Sequence, residues 1–203
     1  WRDNRLSRTV IVFQADHGEY HGENGVPGGK HTFAPQVHRV PLIISCPGVV
    51  PAGGINDSVC DSLDITRTMF ALAGQSPTAQ FQGRDLFRDG PADAVISTIG
   101  YGAASSFLAP NGGQGRWEND RGWPRRSCIR TAQYRLDKNM RIDGRKPTSA
   151  EEDVFLADVA ADPQEETNLA GDPKYATIVE ALSARLDQHA EGAVEVPDEC
   201  VTR

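Results

Sequence analysis

The stretch "VIVFQADHGEYHGENGVPGGKHTF", Val10 to Phe33, decides how the chain is read. Thr9 to Gln14 is an apolar, β-branched run bounded by turn formers, which predicts a strand buried on both faces. Just past its end come Asp16, His17 and Gly18. In open α/β sheets, ligands gather at the carboxyl ends of strands, so this carboxylate and imidazole stand where polar chemistry is expected. Gly18 starts a tight turn that lets the two side chains converge on one cation. The oxygen of an Asp favours calcium or magnesium, and an imidazole shifts the preference towards manganese or zinc. The same pair also reads as a capped turn, since two donors alone do not complete a metal site. Gly28-Gly29 allows the backbone to fold back and bring Lys30 towards the same pocket. There its ammonium would share an anion with the cation, or else it is a solvated surface lysine.

Working outward, Val40 to Ser45 is a second strand, closed by Pro47-Gly48, with Pro41 at its start or edge. "DSLDITRTMFALAG" predicts a helix with Asp64 as N-cap, Gly74 as stop, and Ile65, Met69, Leu72 and Ala73 on its packing face. Ala94 to Ile99 is a further strand. Gly100 to Arg126 has no period and exceeds the ~12–15 residues of ordinary loops, which marks it as functional or disordered. A domain boundary is placed there, giving residues 1–105 and 106–203. Arg116, Arg121, Arg125 and Arg126 with Trp117 and Trp123 suit a sugar or aryl group bearing anions, or the tryptophans pack on the smaller domain. Ser127 to Leu136 and Asp153 to Val159 read as strands of a small antiparallel sheet. Asp172-Pro173 then caps a helix in which Tyr175, Ile178, Val179, Leu182 and Leu186 recur at helical spacing before Gly192.

Composition narrows the partners. The chain has 203 residues, enough to bury a proper core. A formal net charge of -7 argues against nucleic acid or an anionic bilayer as a general partner. No apolar run approaches the ~18 residues of a membrane-spanning helix. Cys46, Cys60, Cys128 and Cys200 form no CxxC pair, so neither a zinc cluster nor a dense disulfide framework is signalled. The compartment stays open, with the periplasm or the cell exterior favoured over the cytoplasm.

"VIVFQADHGEYHGENG", the Gly-Gly-Lys that follows and "HRVPLIISCPG" together resemble the C-terminal half of the sulfatase signature in the alkaline-phosphatase-like superfamily. The likeness continues through "DSLDITRTMFALAG", where Arg67 replaces the usual proline. It takes in "FQGRDLF", "CIRTAQYRL", similar to an Arg-Thr-x-x-Tyr-Lys strand, and "DVFLADVAADPQEETNLAGDP", similar to an Asp-Pro-x-Glu-x-x-Asn-Leu tail. Lys30 falls one residue later than the commonest spacing, and Asn24 stands where His is frequent. The implied architecture is the C-terminal part of an alkaline-phosphatase-like α/β sandwich followed by a small antiparallel sheet with a helix.

The resemblance implies a sulfuric ester hydrolase in which Asp16 and His17 ligate a divalent cation, usually Ca2+, with Mn2+ or Mg2+ as alternatives. Lys30 would bind the sulfate ester, with His31 contributing, and Glu19 and His21 would support the loop around His17. Arg39 would anchor its strand. Relatives attack sulfur with a formylglycine made in a Cys/Ser-x-Pro-x-Arg motif upstream, and neither Ser45-Cys46-Pro47 nor Cys200-Val201-Thr202-Arg203 supplies one. The expectation is therefore a piece of a longer polypeptide, inactive alone, that partners the remainder carrying the nucleophile and the other metal ligands. The alternatives are a phosphodiesterase or phosphonate monoester hydrolase of the same superfamily, and a degenerate, non-catalytic relative.

Overall fold

The computed structural model describes residues 5–23, 29–30, 32–77, 81–99, 126–141 and 146–192. The chain forms two units, Trp1–Val95 and Ile96–Arg203.

In the first unit, a 3-10 turn at Arg5–Arg8 leads into β1 (Ile11–Gln14), which pairs antiparallel with β2 (Leu42–Ser45) in the register Ile11↔Ser45 and Phe13↔Ile43. Pro41 precedes β2, so its missing N–H costs the ladder nothing. The predicted burial of β1 on both faces does not hold. Ile11, Phe13 and Ile43 share one face of the two-stranded ribbon and are 45%, 59% and 61% exposed. The run is apolar on both sides, but nothing among the described residues covers this one.

Between the strands, Pro35–His38 forms the one-turn helix α1, with Val37 and Phe33 buried beneath it. The longer helix α2 (Ser62–Leu72) starts at Asp61, not Asp64. Asp61 accepts from the N–H groups of Leu63 and Asp64, and Asp64 reaches back to the Asp61 N–H at 3.3 Å. A capping box thus uses both carboxylates and satisfies donors that a helix start leaves open. Its buried face is Asp64, Ile65 and Thr68, and Met69 is turned outward. The expected face is rotated because Asp64 is drawn in by Arg84, whose guanidinium lies 2.5 Å from its carboxylate. Gly83 sits so close to the Leu63 carbonyl that a Cβ would come within 2.1 Å of it, which explains the glycine of "FQGRDLF". At the other end Gly74 takes φ +69, with Gln75 N–H on the Phe70 carbonyl and Gly74 N–H on the Ala71 carbonyl. This is a Schellman stop.

The second unit carries a four-stranded sheet in the order β3 (Ala94–Ile99), β4 (Arg126–Thr131), β5 (Tyr134–Asn139) and β6 (Phe155–Asp158). The unit boundary falls within β3. The single strand expected over Ser127 to Leu136 is a hairpin. Thr131 Oγ1 accepts from the N–H groups of Gln133 and Tyr134, which reverses the chain within two residues. Ile129, Leu136 and Leu156 are direct cross-strand neighbours and are fully buried. Helix α3 (Ala176–Glu191) packs on β4 and β5 through Leu182, Leu186 and Ala190, and Asp172 caps the 3-10 turn that introduces it. Lys138 of β5 is 2% exposed and donates to Asp187 of α3 at 3.0 Å and to Glu152 at 3.3 Å.

Cys128, paired with Asp137 and so on the other face of the sheet, is 2% exposed, and burial, with Asp137 adding to it, pushes its thiol from 9.0 up to about 12. Between those values the unfolded chain has lost a proton that the folded chain keeps. Stability therefore falls as pH rises from 9, by about 1.4 kcal/mol per unit, and owes nothing to this group below that. Between pH 8 and pH 10, urea titrations are expected to show the wild type losing about 1.4 kcal/mol relative to Cys128→Ala. Parallel pH profiles for the two proteins would show that the thiol is not so shielded.

Candidate metal and oxyanion site

The site is assembled at the end of β1. Asp16 lies two residues beyond Gln14, in a bend, with its side chain exposed. Its Oδ1 accepts the His17 backbone N–H at 2.9 Å. That bond lowers the Asp16 pKa most, followed by the His17 ring, with a smaller contribution from the Lys30 charge. The carboxylate is thus held in the ionised form that a cation requires.

His17 is oriented by its own turn. Its Nδ1 lies 2.9 Å from the Gly18 carbonyl. Since a carbonyl only accepts, Nδ1 carries the proton. The other ring nitrogen, Nε2, faces Asp16 Oδ2 at 3.4 Å and Lys30 Nζ at 3.0 Å. The support expected from Glu19 and His21 is supplied here by Gly18, while the His21 backbone N–H donates to Glu23 at 2.5 Å.

Gly18 has a second role that the sequence did not reveal. Its N–H donates to the Val37 carbonyl at 2.8 Å, and a Cβ on it would stand 2.0 Å from the Gln36 carbonyl oxygen. Only a glycine lets the Asp16-His17 turn lie against α1. The signal was the Asp-His-Gly order itself, read as a need for turning when the need is for close approach. The side-chain oxygen Oε1 of Gln36 is buried and has no hydrogen-bond partner among the described residues.

Lys30 is returned to the site by Gly29, which takes φ +126 and accepts the Tyr20 N–H at 3.0 Å. Asp16, His17 and Lys30, predicted as a set, are thus in one place. His31 lies outside the described residues, as do Arg116, Arg121, Arg125, Trp117 and Trp123. Arg126, expected with them as an anion binder, is instead committed to β4, donating to Asp137, Asn139 and Asp153. Arg39 is exposed at the C-terminal end of α1. Among the described residues no group of three or more His, Cys, Asp or Glu is placed to hold a metal ion. Asp16 and His17 are therefore a pair of donors and not a complete shell. No helix among the described residues is long and apolar enough to cross a membrane.

Comparison with known proteins bears on this arrangement. The Sulfatase family model matches residues 2–75, the segment containing all three residues. An ulvan-active sulfatase of Formosa agariphila is 27% identical over 189 residues, covering 89% of this chain and 32% of the relative. Among solved structures, a 2-O GAG sulfatase superposes with a TM-score of 0.66 at 24% identity, over 89% of this chain and 36% of that one. A phosphonate monoester hydrolase of Agrobacterium radiobacter gives a TM-score of 0.67 at 24% identity, over 88% and 34%. The chain spans about a third of the length of the relatives it matches. The superpositions establish the fold as part of the α/β architecture of this superfamily, followed by a sheet and helix. Residues 2–75 thus match the Sulfatase family, and the chain is similar along most of its length to sulfatases.

Proposed function

We propose that this chain supplies the cation and sulfate ligands of a sulfuric ester hydrolase. The observation that carries the proposal is the convergence of Asp16, His17 and Lys30 at the end of β1. Asp16 Oδ2 and His17 Nε2 are 3.4 Å apart, an oxygen and a nitrogen close enough to touch one cation. The donor set fits Ca2+ or Mg2+ through the carboxylate, and the imidazole keeps Mn2+ open. Such a cation, when bound, supplies Lewis-acid stabilisation of the sulfate oxygens. Lys30 adds a positive charge beside the same oxygens, with His31 next to it in sequence, and so favours the charge that builds on them as the ester bond breaks. The Gly18 carbonyl, 2.9 Å from Nδ1, favours the tautomer that leaves Nε2 free to ligate.

In this reading residues 1–105 are part of the catalytic domain and residues 106–203 are its C-terminal subdomain. The formylglycine nucleophile and the remaining cation ligands come from the rest of a longer polypeptide, and this chain alone is inactive. The substrate is an anionic sulfate ester. A phosphonate or phosphodiester hydrolase is the second reading, because the Agrobacterium enzyme shares the fold.

The full natural polypeptide is expected to turn over an aryl sulfate faster than the matching aryl phosphate and phosphonate esters when supplied with Ca2+ or Mn2+. A faster rate on the phosphorus esters would move the assignment to the second reading. No turnover of any of them would make the protein a non-catalytic relative.

A further inference from the structure

The β1–β2 ribbon carries an apolar face that the described residues leave bare. Phe13 and Ile43 are direct cross-strand partners, Ile11 lies two residues back along β1 on the same face, and all three are exposed. Ser45, opposite Ile11, completes the face, so these four side chains bring no charge to it. An isolated two-stranded ribbon is marginal in water and needs further strands or a packed helix.

The second unit shows how this chain treats such a face. Ile129, Leu136 and Leu156 stand in the same direct cross-strand arrangement, and α3 packs on that sheet through Leu182, Leu186 and Ala190. Those three strand residues are fully buried. Two paired strands lie about 5 Å apart and a helix with its side chains is about 10–12 Å across, so one helix is wide enough to cover the ribbon.

We propose that a helix from the part of the longer polypeptide outside residues 1–203 docks, through an apolar stripe, on Ile11, Phe13 and Ile43. This rests on the reading of the chain as a piece of such a polypeptide and deepens it. The chain covers 32% of the ulvan-active sulfatase and 36% of the 2-O GAG sulfatase, so most of a polypeptide of that length lies outside it. The occupant is apolar because polar groups pressed against three hydrocarbon side chains would lose water without gaining partners. The docked helix would also hold β1, the strand that leads into Asp16 and His17.

Two measurements on the full natural polypeptide test the docking, each resolved by peptide mass spectrometry. Native Ile43→Cys is expected to react with a thiol reagent about 100-fold more slowly than the same variant in urea, because reaction must wait for local opening. With p-benzoylphenylalanine in place of Phe13, irradiation is expected to give crosslinks to residues outside 1–203 that are spaced by three or four, the helical period.

Native labelling less than about ten-fold slower than in urea overturns the docking. Crosslinks that stay within residues 1–203, that join two copies, or that fall at a strand's spacing of two overturn the helix as occupant. Neither readout needs turnover. Protection and outside crosslinks in a protein without activity keep the docking and remove the hydrolase reading, whereas activity with free labelling does the reverse.

Discussion

Lys30→Ala in the full polypeptide is expected to lower kcat/KM for a sulfate ester by about 10²–10³-fold, the usual cost of losing one positioned donor at a developing oxyanion. The geometry explains why the effect should be large. Lys30 is brought to the end of β1 by the Tyr20 to Gly29 hydrogen bond and stands 3.0 Å from His17. Its charge is thus within reach of any sulfate oxygen that touches a cation on Asp16 and His17. If the lysine acts mainly as charge builds, kcat falls with kcat/KM. If it only binds the ground-state anion, KM rises and kcat is spared. Asp16→Ala should fall at least as far, because it removes both a proposed cation ligand and the acceptor of the His17 N–H. Raising the Ca2+ concentration should recover part of the loss in Asp16→Ala and none in Lys30→Ala. Activity within three-fold of wild type for Lys30→Ala would remove that residue from the reacting centre.

The triad of Asp16, His17 and Lys30 was legible because strand, turn and glycine loop each leave a local mark. An apolar β-branched run stops, a Gly follows, and paired glycines precede the lysine. The strand at Ala94–Ile99 and the amphipathic C-terminal helix were legible for the same reason. What escaped was set by contacts between distant segments. Asp64 looked like a cap, but Arg84, twenty residues on, draws it into the interior and leaves the capping position to Asp61. The hairpin inside Ser127 to Leu136 turned on one Thr131 hydroxyl in a stretch without Gly or Pro. Gly18 was legible as a turn residue, but neither it nor Gly83 was legible as a place where a backbone must pass a carbonyl. Arg126, read with its loop neighbours, belongs to a strand because Asp137 lies beside it on β5.

Loss of the Glu165 charge is expected to cost about 3–5 kcal/mol of stability, the usual penalty for stranding buried charge. Arg130 of β4 and Arg135 of β5 are direct cross-strand partners, an arrangement that is destabilising for like charges. Glu165, 5% exposed, stands between them. It takes Arg130 Nη2 at 2.6 and 2.9 Å, and Arg135 Nε lies 2.5 Å from its Oε2 as an ion pair whose N–H is not aligned for a hydrogen bond. Arg135 also pairs with Asp137 and lies over the Phe155 ring, so it cannot swing to water without emptying the core. Glu165 itself adopts φ +55, a left-handed conformation that a side chain of this kind rarely takes without compensation. The family-like tail "DPQEETNL" holds it there. Asp162 accepts the N–H groups of Glu166 and Thr167, and Asn168 bonds both to Leu156 N–H and to the Val154 carbonyl of the chain entering β6. Glu165→Gln keeps the shape and removes the charge, and Glu165→Gly relieves the backbone while also taking the carboxylate from Arg130 and leaving Arg135 with Asp137. If charge pairing dominates, both variants lose several kcal/mol in urea unfolding, whereas a more stable Glu165→Gly would show that backbone conformation outweighs the ion pairs. A loss below about 1 kcal/mol for Glu165→Gln would put the network in the class of solvent-screened surface pairs and leave the facing arginines without a structural reason.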